Sequence, residues 1–180
     1  AAADPSVGAI VLDVDTPGGE AQGILNVGEA VTAARARKPV AAVANENALS
    51  AGYWLASQAS RVFLPRTGFV GSVGVIVMHH DLSGALAQAG VRVEVVKAGE
   101  KKADGNPYEP LSARAREDLQ AEVDAFYAMF VDAVSRGRRL DAAKVRETEA
   151  GVFMGERALA AGLADELGGV AEAAAWADRA

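Results

Sequence analysis

Ser50 opens the tripeptide Ser50-Ala51-Gly52, immediately after an apolar stretch and a short polar segment. A serine at the start of a helix ordinarily serves as its N-cap. At a strand-to-helix turn the same hydroxyl is presented as a nucleophile, with following backbone N–H groups and the helix dipole placed to stabilise a developing oxyanion. The small residues Ala51 and Gly52 keep that approach open. A serine hydroxyl is a weak nucleophile near neutral pH and needs a base, usually histidine, otherwise a lysine that burial makes neutral. The two histidines, His79 and His80, adjoin Asp81, so a Ser-His-Asp arrangement is open; residues adjacent in sequence seldom supply a triad's geometry. Lys97, Lys101 and Lys102 cluster around one glycine-containing loop. Such a cluster is ordinarily solvated charge, and spacing alone does not choose a base from it.

Composition narrows the chemistry further. With no cysteine there is no thiol nucleophile, disulfide or thiolate metal site, and redox compartment stays undetermined. Eighteen basic against 24 acidic residues give a net charge of −6, without the basic excess of a nucleic-acid footprint. The apolar runs are far shorter than the roughly 20 residues that span a bilayer, and no signal segment leads the chain, so this stretch is expected to be soluble, without membrane contact. The 180 residues, 51% hydrophobic, suffice for a single domain with one sizeable core. The opening Ala1-Ala2-Ala3-Asp4-Pro5, with no initiator methionine, reads as a processed piece of something longer, so that upstream elements are expected to be missing.

The elements that must position Ser50 follow from the apolar patterning. Residues 7–14 are a continuous apolar run of the kind buried on both faces of a parallel sheet, broken by the turn Asp15-Thr16-Pro17-Gly18-Gly19. Residues 20–37 carry Ile24, Val27, Val31 and Ala34 at helical spacing. The pattern then repeats: strand 39–44, loop 45–49, helix 50–59, strand 61–64, an apolar strand within 68–78, a short helix at 82–90 and a strand at 91–96. Strands alternating with helices imply an α/β fold with right-handed crossovers. Residues 97–110 form a polar loop, and Ser112 caps a long helix whose stripe Leu119, Val123, Phe126, Phe130 and Val134 packs on the domain or on a partner subunit. Short helices are expected around residues 151–155, with Gly162 and Gly168-Gly169 as stops.

Nearly the whole chain resembles the signal peptide peptidase A family of serine proteases (peptidase family S49), most closely its bacteriophage branch, the capsid assembly proteases. The segments that carry the likeness are Leu12-Asp13-Val14-Asp15-Thr16-Pro17-Gly18-Gly19, Ser50-Ala51-Gly52-Tyr53, Gly71-Ser72-Val73-Gly74-Val75, Lys102-Ala103-Asp104-Gly105-Asn106-Pro107-Tyr108, and Gly155-Glu156-Arg157-Ala158 through Gly162-Leu163-Ala164-Asp165-Glu166-Leu167. Each is weak alone; their order is specific. Thr16 stands where the cellular branch usually has serine, and the cellular branch carries an anchor and an upstream strand and helix not seen here.

The resemblance implies a ClpP/crotonase-like fold of repeated β-β-α units with a long C-terminal helical region, over a single domain of residues 1–180. It implies Ser50 as nucleophile, Lys102 as general base with Lys101 its rejected neighbour, Ser72 holding the lysine amine, and the N–H groups of Gly19 and Ala51 as the oxyanion hole. The implied activity is peptide-bond hydrolysis through an acyl-enzyme, without metal or other cofactor. Implied partners are extended polypeptides, namely scaffold or head proteins during capsid maturation, or signal peptides in the cellular case, and further copies of the chain in a homo-oligomeric ring. Location would be the host cytoplasm or procapsid for a phage protein, and the membrane for a longer cellular form. The rivals are a cellular signal-peptide peptidase, a crotonase-type acyl-CoA enzyme using the same backbone oxyanion geometry, and a catalytically silent ring-forming protein.

Overall fold

The first apolar run becomes β1 (Ile10–Thr16), and after a glycine-rich turn the chain enters α1 (Ile24–Arg35). A computed structural model describes residues 1–180 and divides them into two units, Ala1–Gly74 with Tyr127–Ala180, and Val75–Phe126. In the first unit the centre is β2 (Val40–Leu49), whose residues Val40, Ala41, Ala42, Val43 and Ala44 are all buried. β1 runs parallel along one side of β2. The other side is shared: β3 (Arg61–Leu64) pairs in parallel with its first half and β4 (Phe69–Gly71) with its second. Between the halves the β1–β2 register jumps from Val14↔Ala44 to Thr16↔Ala48, and Glu46 takes φ 81. Residues 45–47 are therefore a bulge inside a bent strand.

This corrects the expected loop at 45–49. Asn45-Glu46-Asn47 is polar because a bulge releases side chains from the pleat, yet the ladder resumes at Asn47. The expected strand within 68–78 shrinks to the three residues of β4, because Gly71 (φ 111) and Ser72 (φ 54) turn the chain out of the sheet. Residues 151–155 themselves are not helical: β5 (Val152–Met154) pairs antiparallel with β4, and the short helices lie on either side of it, at 142–146 and 156–160, the second ending just before the expected stop Gly162 at φ 73.

α2 (Ala51–Ser57) follows β2 and buries Tyr53 and Trp54. Trp54 stacks on Phe130 of the long helix α3 (Ala113–Arg138), with centroids 4.7 Å apart and planes 16° from parallel. Burying each of these side chains stabilises the fold by about 1.5–3 kcal/mol. Val131, Ala133 and Val134 of the same helix are also buried, so the expected apolar stripe is core at its C-terminal end. Ser112 accepts a hydrogen bond from Ala115 N–H, the expected N-cap. Beyond it come α4 (Ala142–Arg146), capped by Asp141, α5 (Glu156–Ala160), β6 (Glu166–Leu167) parallel to β3, and α6 (Val170–Ala177). Ala173 and Trp176 of α6 cover the other sheet face at Ala41, Val43 and Phe63.

The second unit holds a short helix α′ (Ser83–Gln88), the loop carrying Lys97, Lys101 and Lys102, and the N-terminal half of α3. Residues 91–96, expected as a strand, pair with nothing there. No helix of the chain is long and apolar enough to cross a membrane.

Candidate active site

Parallel strands deliver their C-terminal residues to one edge of a sheet, where crevices for ligands form. The pairing Leu49↔Gly71 between β2 and β4 makes Ser50 and Ser72 the next residues off neighbouring strand ends, and Ser50 N–H donates to Gly71 O at 2.9 Å. Both serines have left-handed backbones, Ser50 at φ 49 and ψ −121 and Ser72 at φ 54. A non-glycine residue persists there only where its surroundings dictate it, and such strain gathers at functional sites. Ser50 occupies the N-cap position of α2, yet its side chain makes no cap hydrogen bond. The hydroxyl is thus not employed in the role that most serines at helix starts perform. Ala51 N–H belongs to the first turn of α2, where a helix supplies no internal acceptor.

The turn after β1 lies against the same serine. A Cβ built on Gly18 (φ 131) would stand 2.8 Å from Ser50 Cβ and 3.3 Å from its Oγ, so only glycine fits. Thr16 Oγ1 fixes this turn, donating to Gly18 O at 3.0 Å and accepting from Gly18 N–H at 3.2 Å. With the Gly18 N–H so occupied, the Gly19 N–H is the first of the turn without an intramolecular acceptor, and those of residues 20–23 have none either. Gly52 permits the close contact of α2 with the end of β1, since a Cβ there would overlap Thr16 Cγ2. Ser50, Ser72, Gly19 and Ala51 therefore all lie at the ends of β1, β2 and β4. Sequence reasoning missed Thr16 and Gly18; a hydroxyl two residues before a glycine is the usual mark of such a side-chain-fixed turn.

Below α2, Tyr53 Oη donates to Leu163 O at 2.8 Å. Burial pushes its phenol well above the ordinary value, so it stays a neutral donor. Leu163 lies in the quoted Gly162-to-Leu167 motif, which thereby braces the serine-bearing helix from beneath.

Lys102 lies in the second unit, on a loop tightened by turns from Lys102 N–H to Gly99 O (3.1 Å) and from Asp104 N–H to Lys101 O (3.1 Å). Arg114 clamps the loop through both Asp104 carboxylate oxygens at 3.0 Å and the Glu100 carbonyl at 3.3 Å. The three lysines are not equivalent. Lys97 Nζ donates to Glu100 O at 2.8 Å and Lys101 Nζ is paired with Asp118 at 2.6 Å. Lys102 is exposed, and its amine has no partner. The histidine alternative fares differently: His79 Nε2 lies 2.9 Å from Asn106 O, and the Asp81 carboxylate is taken by Ser83 N–H and Oγ–H, which hold its carboxyl below the ordinary value. Asp81 therefore does not orient an imidazole. No group of three or more metal-ligating side chains converges anywhere.

Comparison with known proteins gives one consistent grouping. The model for peptidase family S49 matches residues 32–180. Capsid assembly protease C of Escherichia phage lambda is 44% identical over 167 residues, 93% of this chain and 38% of that protein. Head-tail preconnector protein GP5 of Enterobacteria phage P21 is 42% identical over 167 residues, again 93% of this chain, and 33% of that protein. The chain thus spans between 33 and 38% of the length of these relatives. Among solved structures, a lysine-to-alanine mutant of the 1510-N membrane-bound stomatin-specific protease in complex with a substrate peptide superposes with TM-score 0.62 at 16% identity, covering 96% of this chain and 66% of that one. The fold is the ClpP/crotonase-like α/β fold that the sequence resemblance implied.

Proposed function

The chain belongs to peptidase family S49, and on that footing we propose that it is the catalytic portion of a serine endopeptidase acting in phage head assembly, with Ser50 as nucleophile and Lys102 as general base. The observation that carries this reading is Ser50 itself: a strained serine off the end of β2, its hydroxyl released from capping, with the Gly18 backbone pressed against it. In the proposed reaction neutral Lys102 takes the Ser50 Oγ proton as the oxygen attacks the scissile carbonyl. The N–H groups of Gly19 and Ala51 receive the oxyanion, and Ser72 orients the lysine amine. Collapse of the intermediate breaks the peptide C–N bond, the leaving amine takes the proton from Lys102, and water then releases the acyl group by the same steps.

An amine is a base only when neutral, and burial is what favours that form. Lys102 is exposed, so in this reading the surface that covers it comes from bound polypeptide or from a neighbouring copy in a homo-oligomer. The engagement of Lys97 and Lys101 elsewhere supports Lys102 over its neighbours. Substrates are taken to be scaffold or head proteins, bound extended in the procapsid or host cytoplasm, in keeping with the names of the two phage relatives. A fluorophosphonate should label the protein and fail to label Ser50→Ala. Lys102→Ala should lose proteolysis with its fold intact, and proteolysis retained in both variants overturns the assignment.

A further inference from the structure

Residues 91–96 of the second unit read Val91-Arg92-Val93-Glu94-Val95-Val96, a β-branched, alternating sequence that forms no sheet. Its start is well defined. Val91 N–H donates to Leu86 O and Gly90 N–H to Ala87 O, with Gly90 at φ 73, so the α′ helix ends in a Schellman turn that directs the chain out extended. From Arg92 to Val96 the backbone then makes no main-chain hydrogen bond. Val91, Val93 and Val95 remain 49, 41 and 39% exposed on one side, and Arg92 and Glu94 project on the other with their side chains 90 and 78% exposed. An unpaired, exposed, alternating strand is a template for another strand. Its own pattern says which.

We propose that this segment pairs antiparallel with the same segment of a second copy, across a twofold axis at Val93. Among antiparallel registers, the one centred on Val93 sets Arg92 opposite Glu94 and Val91 opposite Val95, each twice, with Val93 facing Val93. Centring on Arg92 or on Glu94 stacks like charges at the axis, and a shift by half a step turns valines toward charges. Parallel pairing in register sets arginine against arginine. Only the Val93-centred register is self-complementary in both charge and face, as an isologous contact between identical surfaces must be. The inference rests on the homo-oligomer reading above; being isologous, this contact joins copies in pairs, and closing a ring takes a second, different contact besides it.

The chain has no cysteine, so Val93→Cys introduces a sole thiol. Mild oxidation should convert that variant to a disulfide-linked dimer. Val96→Cys, more exposed at 99% but facing residue 90 in this register, should stay largely uncrosslinked. Arg92→Glu or Glu94→Arg alone should weaken self-association at least tenfold at low salt, read by sedimentation, and the double exchange should restore it. All four positions are exposed, and circular dichroism checks that each variant folds. Equal crosslinking at 93 and 96, or single exchanges without effect on an oligomer that still forms, overturns the contact while leaving the peptidase reading intact. A chain that is monomeric yet labelled at Ser50 overturns both the contact and the oligomer. An intact Val93 dimer in a chain that Ser50→Ala leaves proteolytic overturns only the peptidase assignment.

Discussion

At Ser50, the proposed nucleophile, the demands of catalysis and of stability separate. The residue sits at φ 49 and ψ −121, where a side chain is strained by about 1–3 kcal/mol and glycine is not. Ser50→Ala and Ser50→Gly should both abolish fluorophosphonate labelling, but the glycine variant should be the more stable of the two by about 1 kcal/mol. Denaturant unfolding of the pair measures this; equal stabilities would mean that the serine backbone is not under strain. The position of Ser50 was legible because a small-residue tripeptide after an apolar run marks a strand-to-helix turn. The proposed base was not, since three lysines in one loop differ only in partners such as Asp118 and the Glu100 carbonyl, which spacing does not reveal. Thr16 was visible only as a departure from serine, whereas its hydroxyl bonds Gly18 in both directions.

At the scale of elements, β3 matched its expected range, and α3 and its Ser112 cap were also read correctly, because periodicity and capping are local properties. β2 and β5 were not, because a bulge and an edge pairing depend on strands far away in sequence. Gly137 in α3 illustrates the same limit. By propensity, Gly137→Ala should strengthen the helix by about 1 kcal/mol. A Cβ there, however, would overlap the Ser57 carbonyl, where Gln58 Nε2 also ties α2 to the Ala133 carbonyl at 3.0 Å. The clash wins, and Gly137→Ala should lower stability by about 1–3 kcal/mol, measured by thermal unfolding. Arg114 predicts the converse. Its pair with Asp104 is partly exposed, at 47 and 21%, so Arg114→Ala should change stability by less than about 1 kcal/mol. Freeing the Lys102 loop should nevertheless lower kcat on the order of ten- to a hundredfold with KM little changed, and Arg114→Lys should recover part of it. A stability loss with unchanged kcat would make Arg114 purely structural.

Across the first unit as a whole, one ion pair joins segments that the sequence gives no reason to connect. Arg138 reads as one of three arginines around Gly137, a run that looks solvated, and Asp165 as one acid in a family motif. In the fold the Arg138 side chain is only 6% exposed and holds Asp165 through two bonds of 2.7 and 2.8 Å, while Asp165 also accepts from Val62 N–H of β3. Burial would raise the Asp165 carboxyl, but the Arg138 guanidinium and the Val62 amide outweigh it and hold the group below its ordinary value. A carboxylate with a depressed folded value contributes stability that is present above the unfolded value, about 3.9, and is lost as pH falls through the folded one. Asp165→Asn leaves Arg138 charged and uncompensated. Removing one partner of a fully buried pair costs about 3–5 kcal/mol, and the 33% exposure of Asp165 discounts this to about 2–3 kcal/mol near pH 7. The difference between the two proteins should therefore be largest near neutrality and narrow steadily below about pH 4, as the wild-type carboxylate itself takes up a proton. Urea midpoints measured from pH 7 to pH 2.5 test this, and a gap that stays constant across the range would show that Asp165 contributes through packing rather than charge.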